Sequence, residues 1–557
     1  MPPAIVVPRG VRHCAWSTVR LGAGFRVIPL EDAAAAHLWP SPPGPGSRTL
    51  VIGAGFGGLA AALRARALGH DVAVHERLDQ PGGRARVFRR DGYSFDAGPT
   101  VLTAPYLLEE LFGLFGERMS DHLRLVPVDP WYRITFPDGR HFDYGGDEAE
   151  MARKVAAFSP ADAAGFERLM RRTRDLFVVG YERYGAAPFH SPLTMLRVLP
   201  HLLRLGGWRS MHALVASHVK DEALRRVFTL QTLLIGGHPW RTPAIYALIQ
   251  HLERRWGVWF ALGGTAAVVE ALCALARRHG VAFHMGSTVE RILVEDGRVA
   301  GVRLEGGATV PAERVIANAD AASVYADLVP ATARRRWTAR RLARVQPSMG
   351  LFVLYFGTTR QYPDMAHHTM VLGKHYRALL DEVFGCGAML PEDLSLYLHR
   401  PTATDPTLAP AGHDAFYVLA PVPNLRAPID WRQAGPVMRD RVVRILSERG
   451  LPDLEQHIVS ESWIAPDDFQ RDLLSRDGSG FSAAPTLMQS AWFRFHNRCG
   501  DVRGLYLVGA GTHPGAGVPG VLTSAKVVET LLRQEPAGSL PAHDDACRSL
   551  ADRSQAA

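Results

Sequence analysis

Three glycines near the start of the chain have the spacing of a phosphate-binding turn. Gly53, Gly55 and Gly58 follow the apolar run Arg48–Ile52 and precede an alanine- and leucine-rich stretch typical of a helix. In such a strand–turn–helix unit the first glycine makes the turn and the second lets the backbone approach a pyrophosphate. The third glycine allows close packing of helix and strand. Since the helix N-terminus also offers free N–H groups to phosphates, the pattern predicts a dinucleotide site.

An acidic residue stands where the ribose of a bound dinucleotide would lie. Glu76 ends the second predicted strand, eighteen residues after Gly58. Its carboxylate would accept a hydrogen bond from a ribose 2′-hydroxyl, which favours an adenosine without a 2′-phosphate. A bare glycine motif is a weak signal, but strand, helix and acid stand here in the expected order.

A second strand–glycine–helix element lies near the other end of the chain. Residues 505–508 enter a glycine turn at 509–511, 456 residues after Gly53, and a helix pattern follows from Val521. A further glycine turn with arginines occurs at residues 80–86. These elements suggest one extended cofactor held by both ends of the chain, which favours FAD over NAD.

The 557-residue chain has the composition of a large globular protein. Hydrophobic residues make up 47%, charged residues 21%, and the mean hydropathy is -0.04. These values exclude a disordered chain, a fibre and a disulfide-stapled mini-protein. The 63 basic and 55 acidic residues give a net charge of +8 and a pI ≈ 9.4. This balance is weak evidence for nucleic acid and fits an anionic membrane face equally well, so we predict no nucleic-acid partner.

Cysteine spacing argues against a metal or disulfide framework. No CxxC pair occurs, so the sequence predicts no metal site and favours a reducing compartment. No run of about 18 apolar residues occurs either, and we expect no transmembrane helix. Residues 1–46 lack the apolar segment of a secretory signal and end in a Pro/Gly-rich stretch. The cysteines are Cys14, Cys273, Cys386, Cys499 and Cys547.

Several longer segments carry a resemblance to a known family. Segments 51–58, 81–86 and 95–100 are shared widely among flavin oxidoreductases. More specific are Leu-Ile-Gly-Gly-His-Pro at 234–239, Trp-Gly-Val-Trp-Phe at 256–260, His-His-Thr at 367–369, and segments 393–399, 417–423, 489–494 and 505–520. Over roughly residues 50–532, the chain resembles bacterial carotenoid desaturases of the phytoene desaturase type, in the amine-oxidase-like flavoprotein superfamily.

The resemblance implies an FAD site. The glycines of the first turn would hold the pyrophosphate, the acid and arginine after the second strand would meet the adenosine ribose, and a strand residue would pair with adenine through its backbone. In the wider superfamily an acidic residue often stands at position 510, and alanine here leaves ribitol binding to the backbone. The implied cofactor-binding set is Gly53, Ala54, Gly55, Gly57, Gly58, Glu76, Arg77, Gly83, Arg84, Val289, Gly509, Ala510, Gly511 and Val518.

The same resemblance implies the activity. It is FAD-dependent desaturation of phytoene, a C40 polyene, by hydride transfer to flavin N5, giving neurosporene or lycopene, with a quinone or oxygen as electron acceptor. Because such a substrate has no heteroatom, shape and apolar contact must position it, and the flavin is the reagent. No catalytic acid or base is assigned. His238 and His513 are weak candidates, and both also fit structural histidines bonded to backbone.

Other functions remain open from the residues. Within the same class they are another carotenoid desaturase or a carotenoid isomerase. Outside it they are an amine or porphyrinogen oxidase, or a non-catalytic flavin-binding protein. The aromatic residues Trp256, Trp259 and Phe260 fit either the wall of a polyene tunnel or ordinary core.

A polyene substrate implies contact with a membrane. At about 0.8 kcal/mol per CH₂-sized group, exposing forty carbons to water would cost on the order of 30 kcal/mol. The enzyme would therefore load from a bilayer, and we expect a peripheral protein on the cytoplasmic side of the cell membrane. The candidate contact is the stretch 197–226, which mixes apolar residues with arginines. An ordinary amphipathic helix with a basic solvated face is an equally good interpretation of it.

The expected fold class is α/β. A Rossmann-type FAD-binding domain would be interleaved with an α+β substrate domain and a mainly helical membrane-associating subdomain. The FAD-binding domain would comprise residues 47–105, 260–330 and 475–533, and the substrate and membrane-associating part residues 106–259 and 331–474. Residues 1–46 are expected to form a disordered extension and residues 534–557 a loose tail.

Overall fold

The computed structural model describes residues 5–7, 27–29, 47–385, 387 and 390–535. Most of the predicted extension at 1–46 and of the predicted tail at 534–557 lies outside these residues. In the predicted extension, two three-residue strands are described, and they pair in parallel.

The described strands, in chain order, are β1 (Ile5–Val7), β2 (Val27–Pro29), β3 (Arg48–Ile52), β4 (Asp71–His75), β5 (Val87–Arg90), β6 (Tyr93–Asp96), β7 (Leu102–Thr103), β8 (Leu125–Pro127), β9 (Tyr132–Thr135), β10 (His141–Tyr144), β11 (Val258–Ala261), β12 (Ala282–His284), β13 (Val289–Glu295), β14 (Arg298–Leu304), β15 (Thr309–Pro311), β16 (Arg314–Ala317), β17 (Gly350–Thr358), β18 (His368–Val371), β19 (Leu396–His399), β20 (Asp414–Val422), β21 (Ile458–Ile464) and β22 (Leu505–Leu507).

The α-helices are α1 (Phe56–Ala67), α2 (Tyr106–Gly113), α3 (Glu148–Phe158), α4 (Ala163–Phe177), α5 (Pro192–Leu205), α6 (Met211–Ala216), α7 (Glu222–Thr229), α8 (Leu248–Trp256), α9 (Gly264–Arg278), α10 (Ala321–Ser323), α11 (Ala339–Ala343), α12 (Tyr376–Val383), α13 (Trp431–Glu448), α14 (Leu454–His457), α15 (Pro466–Leu473) and α16 (Val518–Arg533).

A five-stranded parallel sheet carries both glycine turns. Its strand order is β12-β4-β3-β16-β22, and its central strands are apolar and buried, as expected when helices cover both faces. Strands β3 and β22 both pair with β16, one on each side. Because the carboxyl ends of parallel strands meet at one edge, the turns that begin at Gly53 and Gly509 lie side by side there.

A seven-stranded mixed sheet forms the second layer. Its order is β10-β9-β18-β19-β20-β17-β21, with β9 and β18 parallel and the other neighbours antiparallel. All nine residues of β17 are buried, because its alternate side chains point to two different cores. Phe352 and Leu354 pack in one core with α13, whereas Val353 and Tyr355 pack in the other.

The residue pattern of the sequence predicts helices around 161–177, 193–205, 263–279 and 521–532, and the structure confirms all four, with α16 beginning three residues earlier. The same kind of pattern predicts that residues 107–230 are mostly helical, whereas the structure also places β8, β9 and β10 in this stretch. Period-two alternation in β9 and β10 and the turn-forming Pro137-Asp-Gly139 between them explain this hairpin, whose ends are joined by a Phe136 N–H to Arg140 C=O bond of 2.8 Å.

Helices α3 to α8 lie between β10 and β11 in the sequence and pack on the core of the seven-stranded sheet. Helix α5 is an exception, because only Val198 among its residues is buried. Throughout the described part of the chain, each helix is too short or too polar to span a bilayer.

Candidate functional site

A cavity of about 2360 Å³, including its open mouth, lies between the glycine turns of the parallel sheet and the seven-stranded sheet. Near the turns its wall is formed by glycines and polar side chains. Farther away its wall is apolar and comes mainly from β17 to β20 and neighbouring segments. The apolar part includes Leu230, Leu233, Leu234, Met349, Leu351, Met370, Leu372, Leu396, Leu419, Ile464, Phe469, Leu473 and Phe481.

The glycines of the first turn, residues 53–58, which we call the opening turn, have two different roles. Gly53, Gly55 and Gly57 border the cavity, and Gly53 has a φ of +93°, which favours glycine. Gly58 is absent from the described cavity wall. A methyl group on Gly58 would lie 1.9 Å from the carbonyl oxygen of Gly53, so this glycine lets α1 pack against the turn.

Glu76 directly follows β4 and borders the cavity. Its Oε2 accepts a hydrogen bond from the Ala54 N–H at 2.7 Å, and its Oε1 accepts one from the Leu78 N–H at 2.9 Å. Ala54 thus supports the site from behind the wall. Arg77 borders the cavity and donates to the carbonyl oxygens of Arg471 and Asp472, both at 2.7 Å.

Gly83 and Arg84 also border the cavity. The Arg84 guanidinium donates to the Ser475 hydroxyl, while its Nε is buried without a partner. Burial lowers the pKa of Arg84, and the nearby Asp320 opposes this shift. A buried guanidinium with a free N–H beside a cavity fits an acceptor-rich ligand such as a flavin ring or a phosphate.

The second glycine turn, residues 509–511, which we call the closing turn, is held by a side chain outside the predicted set. Gly509, Ala510 and Gly511 border the cavity. Arg494, which is buried, donates to the Ala510 carbonyl at 2.5 Å and to the Thr512 carbonyl at 3.0 Å. The available signal for it is its place in the family-specific segment 489–494. Burial lowers the pKa of Arg494.

Asn318, also absent from the predicted set, lies between the two turns. It follows β16, and a methyl group on Gly57 would lie 2.6 Å from its Oδ1, whereas one on Gly55 would lie 2.9 Å from its Nδ2. A polar residue at the carboxyl end of a buried parallel strand is the sequence signal for such a position. Asn318 therefore fills the narrow space that the missing glycine side chains leave.

The remaining predicted cofactor residues also border the cavity. Val289 begins β13, and Val518 begins α16. His75 also borders the cavity, and its Nδ1 lies 2.8 Å from the Ser287 hydroxyl. Burial, followed by the charge of His284, lowers the pKa of His75 to about 4.

The two candidate histidines lie away from the described cavity wall. His513 Nε2 is 3.1 Å from the Tyr184 carbonyl oxygen, and His238 Nε2 is 3.3 Å from a carboxylate oxygen of Asp381. Burial lowers the pKa of each histidine to about 4. This placement supports structural roles for both.

The aromatic cluster also lies away from the described wall. Trp256 packs against Tyr106 and Tyr181, and Phe260 packs against His367 in the core. These contacts support ordinary core packing. Of the five cysteines, Cys273 and Cys499 are buried free thiols, and the others lie outside the described residues.

Two glycine turns from opposite ends of the chain, one cavity and a parallel sheet define a flavin-binding oxidoreductase fold. A model of the family described as flavin containing amine oxidoreductase matches residues 56–528, and the chain belongs to this family. It is 46% identical over 489 residues to a lycopene-forming phytoene desaturase from Pseudescherichia vulneris, covering 88% of this chain and 99% of that one. It is 42% identical over 501 residues to a neurosporene-forming phytoene desaturase from Rhodobacter capsulatus, covering 89% and 95%.

Solved structures show the same fold. An oxidoreductase from Methanosarcina mazei aligns with a TM-score of 0.61 at 19% identity, covering 87% of this chain and 100% of that one. Putrescine oxidase bound to putrescine aligns with a TM-score of 0.58 at 15% identity, covering 88% and 100%. Family and fold together make the chain an FAD-dependent oxidoreductase.

Proposed function

We propose that this protein desaturates phytoene in carotenoid biosynthesis and forms neurosporene or lycopene. The names of relatives that align over nearly their whole length support this proposal. The observation that carries it is the apolar half of the cavity, whose walls are leucine, methionine, isoleucine and phenylalanine side chains. Such walls suit a hydrocarbon that offers no hydrogen bonds.

The placement of acidic residues favours a hydrocarbon over an amine. In the described cavity wall the carboxylates belong to Glu76, Asp320 and Asp472, all beside the nucleotide end. Asp472 is paired with Arg86 at 3.2 Å, and Glu76 is occupied by backbone N–H groups. An ammonium substrate in the apolar half would lack a described anionic partner and would lose its hydration there.

For the cofactor, we assign the pyrophosphate to Gly53, Gly55 and Gly57 at the N-terminus of α1, where N–H groups and the helix dipole favour anions. Glu76 and Arg77 would hold the adenosine ribose, and Val289 the adenine. The flavin side would lie against Gly83, Arg84, residues 509–511 and Val518. When bound, FAD supplies the acceptor for a hydride. The parallel sheet supports the Rossmann-type domain proposed for residues 47–105, 260–330 and 475–533.

The chain itself supplies position and exclusion of water. Residues of β17 and β20 form part of a buried wall against which a polyene would lie along its length. Holding the reacting carbon in one geometry lowers the activation free energy, because the entropy cost of orienting the substrate is met when it binds. The same wall keeps water from a carbocation-like centre.

We also propose that α5 docks the enzyme on a membrane. Its leucines at positions 193, 196, 199 and 203 are 61%, 63%, 40% and 57% exposed, and Trp208 beyond it is 54% exposed. The spacing places the leucines on one face, and Arg197 and Arg204 are suited to lipid phosphates. A water-facing stripe of this kind is costly unless an apolar surface covers it. This exposed face fits a peripheral location on the membrane.

For the electron acceptor, we propose that a quinone or oxygen reoxidises the flavin.

The test is incubation of the FAD-loaded protein with phytoene in liposomes, followed by chromatography of the products. Coloured products with longer conjugation support the proposal, and their lengths give the number of steps. Turnover of a soluble amine without any change in phytoene would contradict it. Unchanged conjugation with altered double-bond geometry would identify an isomerase.

A further inference from the structure

Three histidines form an unexpected polar cluster in the core beside the cavity. His367, His368 and His399 lie on and just before the neighbouring antiparallel strands β18 and β19, where His368 and His399 face each other in register. His368 and His399 are 0% exposed and His367 is 5% exposed. Polar groups buried this deeply need a reason, since apolar side chains would fill the same space at lower cost.

One end of this histidine cluster reaches the cavity. Tyr397 and Thr100 both line the cavity. The Tyr397 hydroxyl is 2.5 Å from the Thr100 hydroxyl and 2.9 Å from His368 Nδ1. The hydroxyl of a residue that lines the cavity is therefore linked directly to a buried imidazole.

The other end of the cluster reaches the surface. His399 Nε2 lies 3.0 Å from His367 Nε2, and His367 Nδ1 lies 2.6 Å from the Thr404 hydroxyl. Thr404 is partly exposed, in a loop between two short 3₁₀ segments. The cluster thus lies between a cavity hydroxyl and a surface hydroxyl.

His368 and His399 are not joined by a direct hydrogen bond. His368 Nε2 and His399 Nδ1 are buried and have no protein partner. One nitrogen of each ring lies within 4.8 Å of one nitrogen of each other ring. The path therefore requires a single water between His368 and His399, and two hydrogen bonds of about 2.8 Å through such a water can bridge rings at this separation.

The hydrogen bonds are consistent with a single set of tautomers. A neutral imidazole donates from one nitrogen and accepts at the other. If Tyr397 donates to His368 Nδ1, the His368 proton lies on Nε2 and points into the cluster. If His399 then donates from Nε2 to His367, the His367 proton lies on Nδ1 and points to Thr404. In this arrangement each donor except His368 Nε2 has a protein acceptor, and the hydrogen bonds run in one direction, from the cavity towards the surface.

We propose that Tyr397, His368, His399, His367 and Thr404 form a proton path that carries the proton released in each desaturation out of the cavity. The path rests on the proposed function. Each desaturation breaks two C–H bonds: one hydrogen leaves with its electron pair for FAD, and the electrons of the other bond form the new C=C bond. The remaining proton binds the Tyr397 oxygen while Tyr397 gives its own proton to His368 Nδ1. Each ring accepts a proton at one nitrogen and releases one from the other, and Thr404 passes one to solvent.

The electrostatic surroundings keep the resting cluster neutral. Burial lowers the pKa of His367 to about 3 and lowers the pKa values of His368 and His399 well below their ordinary value. Arg400, which is paired with Asp414, lowers the pKa of His367 further. A proton therefore does not remain on these rings.

The three rings also have the separation of a candidate metal site, since one nitrogen of each lies within 4.8 Å of the others. Three neutral imidazoles are a common ligand set for a divalent ion. Metal content is therefore a direct test, because a bound ion would occupy the nitrogens that the path needs.

The experiment uses the full-length, FAD-loaded protein. Anaerobic bleaching of the flavin by phytoene in vesicles of neutral and anionic phospholipid is followed in H₂O, in D₂O and in mixtures of the two. Bleaching of the wild-type protein tests the proposed function by itself. Once the wild type is seen to bleach, the rates of the variants test the proton path. We expect Tyr397→Phe to slow bleaching at least tenfold, since proton transfer to a positioned group contributes about 10²-fold or more.

The surface end allows a conservative pair. Thr404→Val should slow bleaching and change its dependence on the D₂O fraction, whereas Thr404→Ser should restore both. Controls are Tyr376→Phe, which removes a buried hydroxyl outside the cavity wall, and His141→Gln on the exposed edge strand β10. Both should leave bleaching unchanged, with FAD content and thermal unfolding as wild type.

A second measurement does not depend on turnover. ¹⁵N shifts of labelled histidines should show neutral rings protonated on Nε2 for His368 and His399 and on Nδ1 for His367. Three results would each overturn the path. The first is an imidazolium in the resting protein, and the second is a stoichiometric metal ion that is lost in His399→Gln. The third is a wild-type bleaching rate and D₂O dependence in both Tyr397→Phe and Thr404→Val.

Discussion

A methyl group placed on Gly57 would lie 3.3 Å from the Cα of Gly509. These two glycines are 452 residues apart in the chain, yet their turns meet at one edge of the parallel sheet. The meeting is a direct consequence of strand order, because β3 and β22 lie on the two sides of β16. The cofactor site therefore depends on the correct closure of almost the whole polypeptide.

The first prediction concerns that contact. Gly57→Ala should weaken FAD binding about tenfold, because its methyl group would lie 2.6 Å from Asn318 Oδ1 and 3.1 Å from a methyl group of Val521. Adding Asn318→Ala should recover part of the loss by removing the nearer atom. FAD titration by fluorescence quenching measures both. A double variant as weak as the single one would show that the Asn318 contact is not responsible.

The second prediction separates packing from binding in the opening turn. Gly58→Ala should lower the free energy of unfolding by about 3 kcal/mol, since its methyl group would overlap the Gly53 carbonyl oxygen at 1.9 Å. Gly113→Ala is the matched control, because nothing lies within 4 Å of its added methyl group. Denaturant unfolding of the apoprotein provides the measurement, and equal stability of the two variants would contradict the prediction.

The third prediction concerns the ribose. Glu76→Gln should weaken FAD binding by about tenfold, because hydrogen bonds to a charged group contribute about 1.5–3 kcal/mol. The exposed Glu305→Gln is the control for a lost negative charge. Calorimetric titration with FAD distinguishes them. Wild-type affinity in Glu76→Gln would remove this residue from the proposed site.

The fourth prediction tests the docking face. Leu196→Ser with Leu203→Ser should reduce binding to phospholipid vesicles at least tenfold, because each leucine buried in lipid contributes about 1.5–3 kcal/mol. The control is Val437→Ser with Val459→Ser, which changes exposed apolar residues 43% and 54% accessible on other elements. Sedimentation with vesicles measures the bound fraction. Unchanged sedimentation with normal FAD content would exclude α5 as the contact.

The fifth prediction concerns acid. Burial lowers the pKa of several histidines to about 4 in the folded state, below the unfolded value of 6.5. Between these values the unfolded chain binds more protons, so the free energy of unfolding falls as the pH drops from about 6.5 to about 4. Each group contributes at most about 3 kcal/mol. The histidines are His70, His238, His496 and His513.

His70→Gln tests the assignment of one such group. Its partner is the Thr49 hydroxyl, 2.7 Å from Nδ1, which glutamine can also bond. The free energy of unfolding, measured with denaturant between pH 7 and pH 4.5, should fall less steeply with pH in the variant. The difference in slope should correspond to the uptake of at most one proton on unfolding. An identical slope would show that His70 titrates normally in the folded protein.

Much of the local structure follows from the sequence because its causes are local. The strand before Gly53 and the helix after it both appear as predicted, and the glycine between two apolar runs that marks a hairpin turn in the sequence, Gly297, stands at that turn with a φ of +70°. Hydrophobic period and turn residues act within a few positions of each other. The hairpin of β9 and β10 had the same kind of signal, although the surrounding stretch is mainly helical.

The candidate site is only partly predictable from motifs. The two glycine turns mark the nucleotide end. Asn318, which lies against both turns, and Arg494, which donates to the carbonyl of Ala510, belong to no glycine motif. Conversely, His238 and His513 occur in family-like segments, yet they lie outside the described cavity wall. A side chain's direction depends on what packs around it, and a motif does not contain that information.

The amino-acid sequence by itself determined the class of cofactor, the order of most elements and the apolar character of the core, because glycine spacing and hydrophobic period are properties of neighbouring residues. Tertiary structure alone decided which glycine packs and which borders the cavity, and it brought Tyr397, His368 and Thr404 into one series. Strand pairing sets these distances, because it joins residues that are far apart in the chain: Tyr397 and His368 are 29 positions apart, and Gly57 and Gly509 are 452 apart.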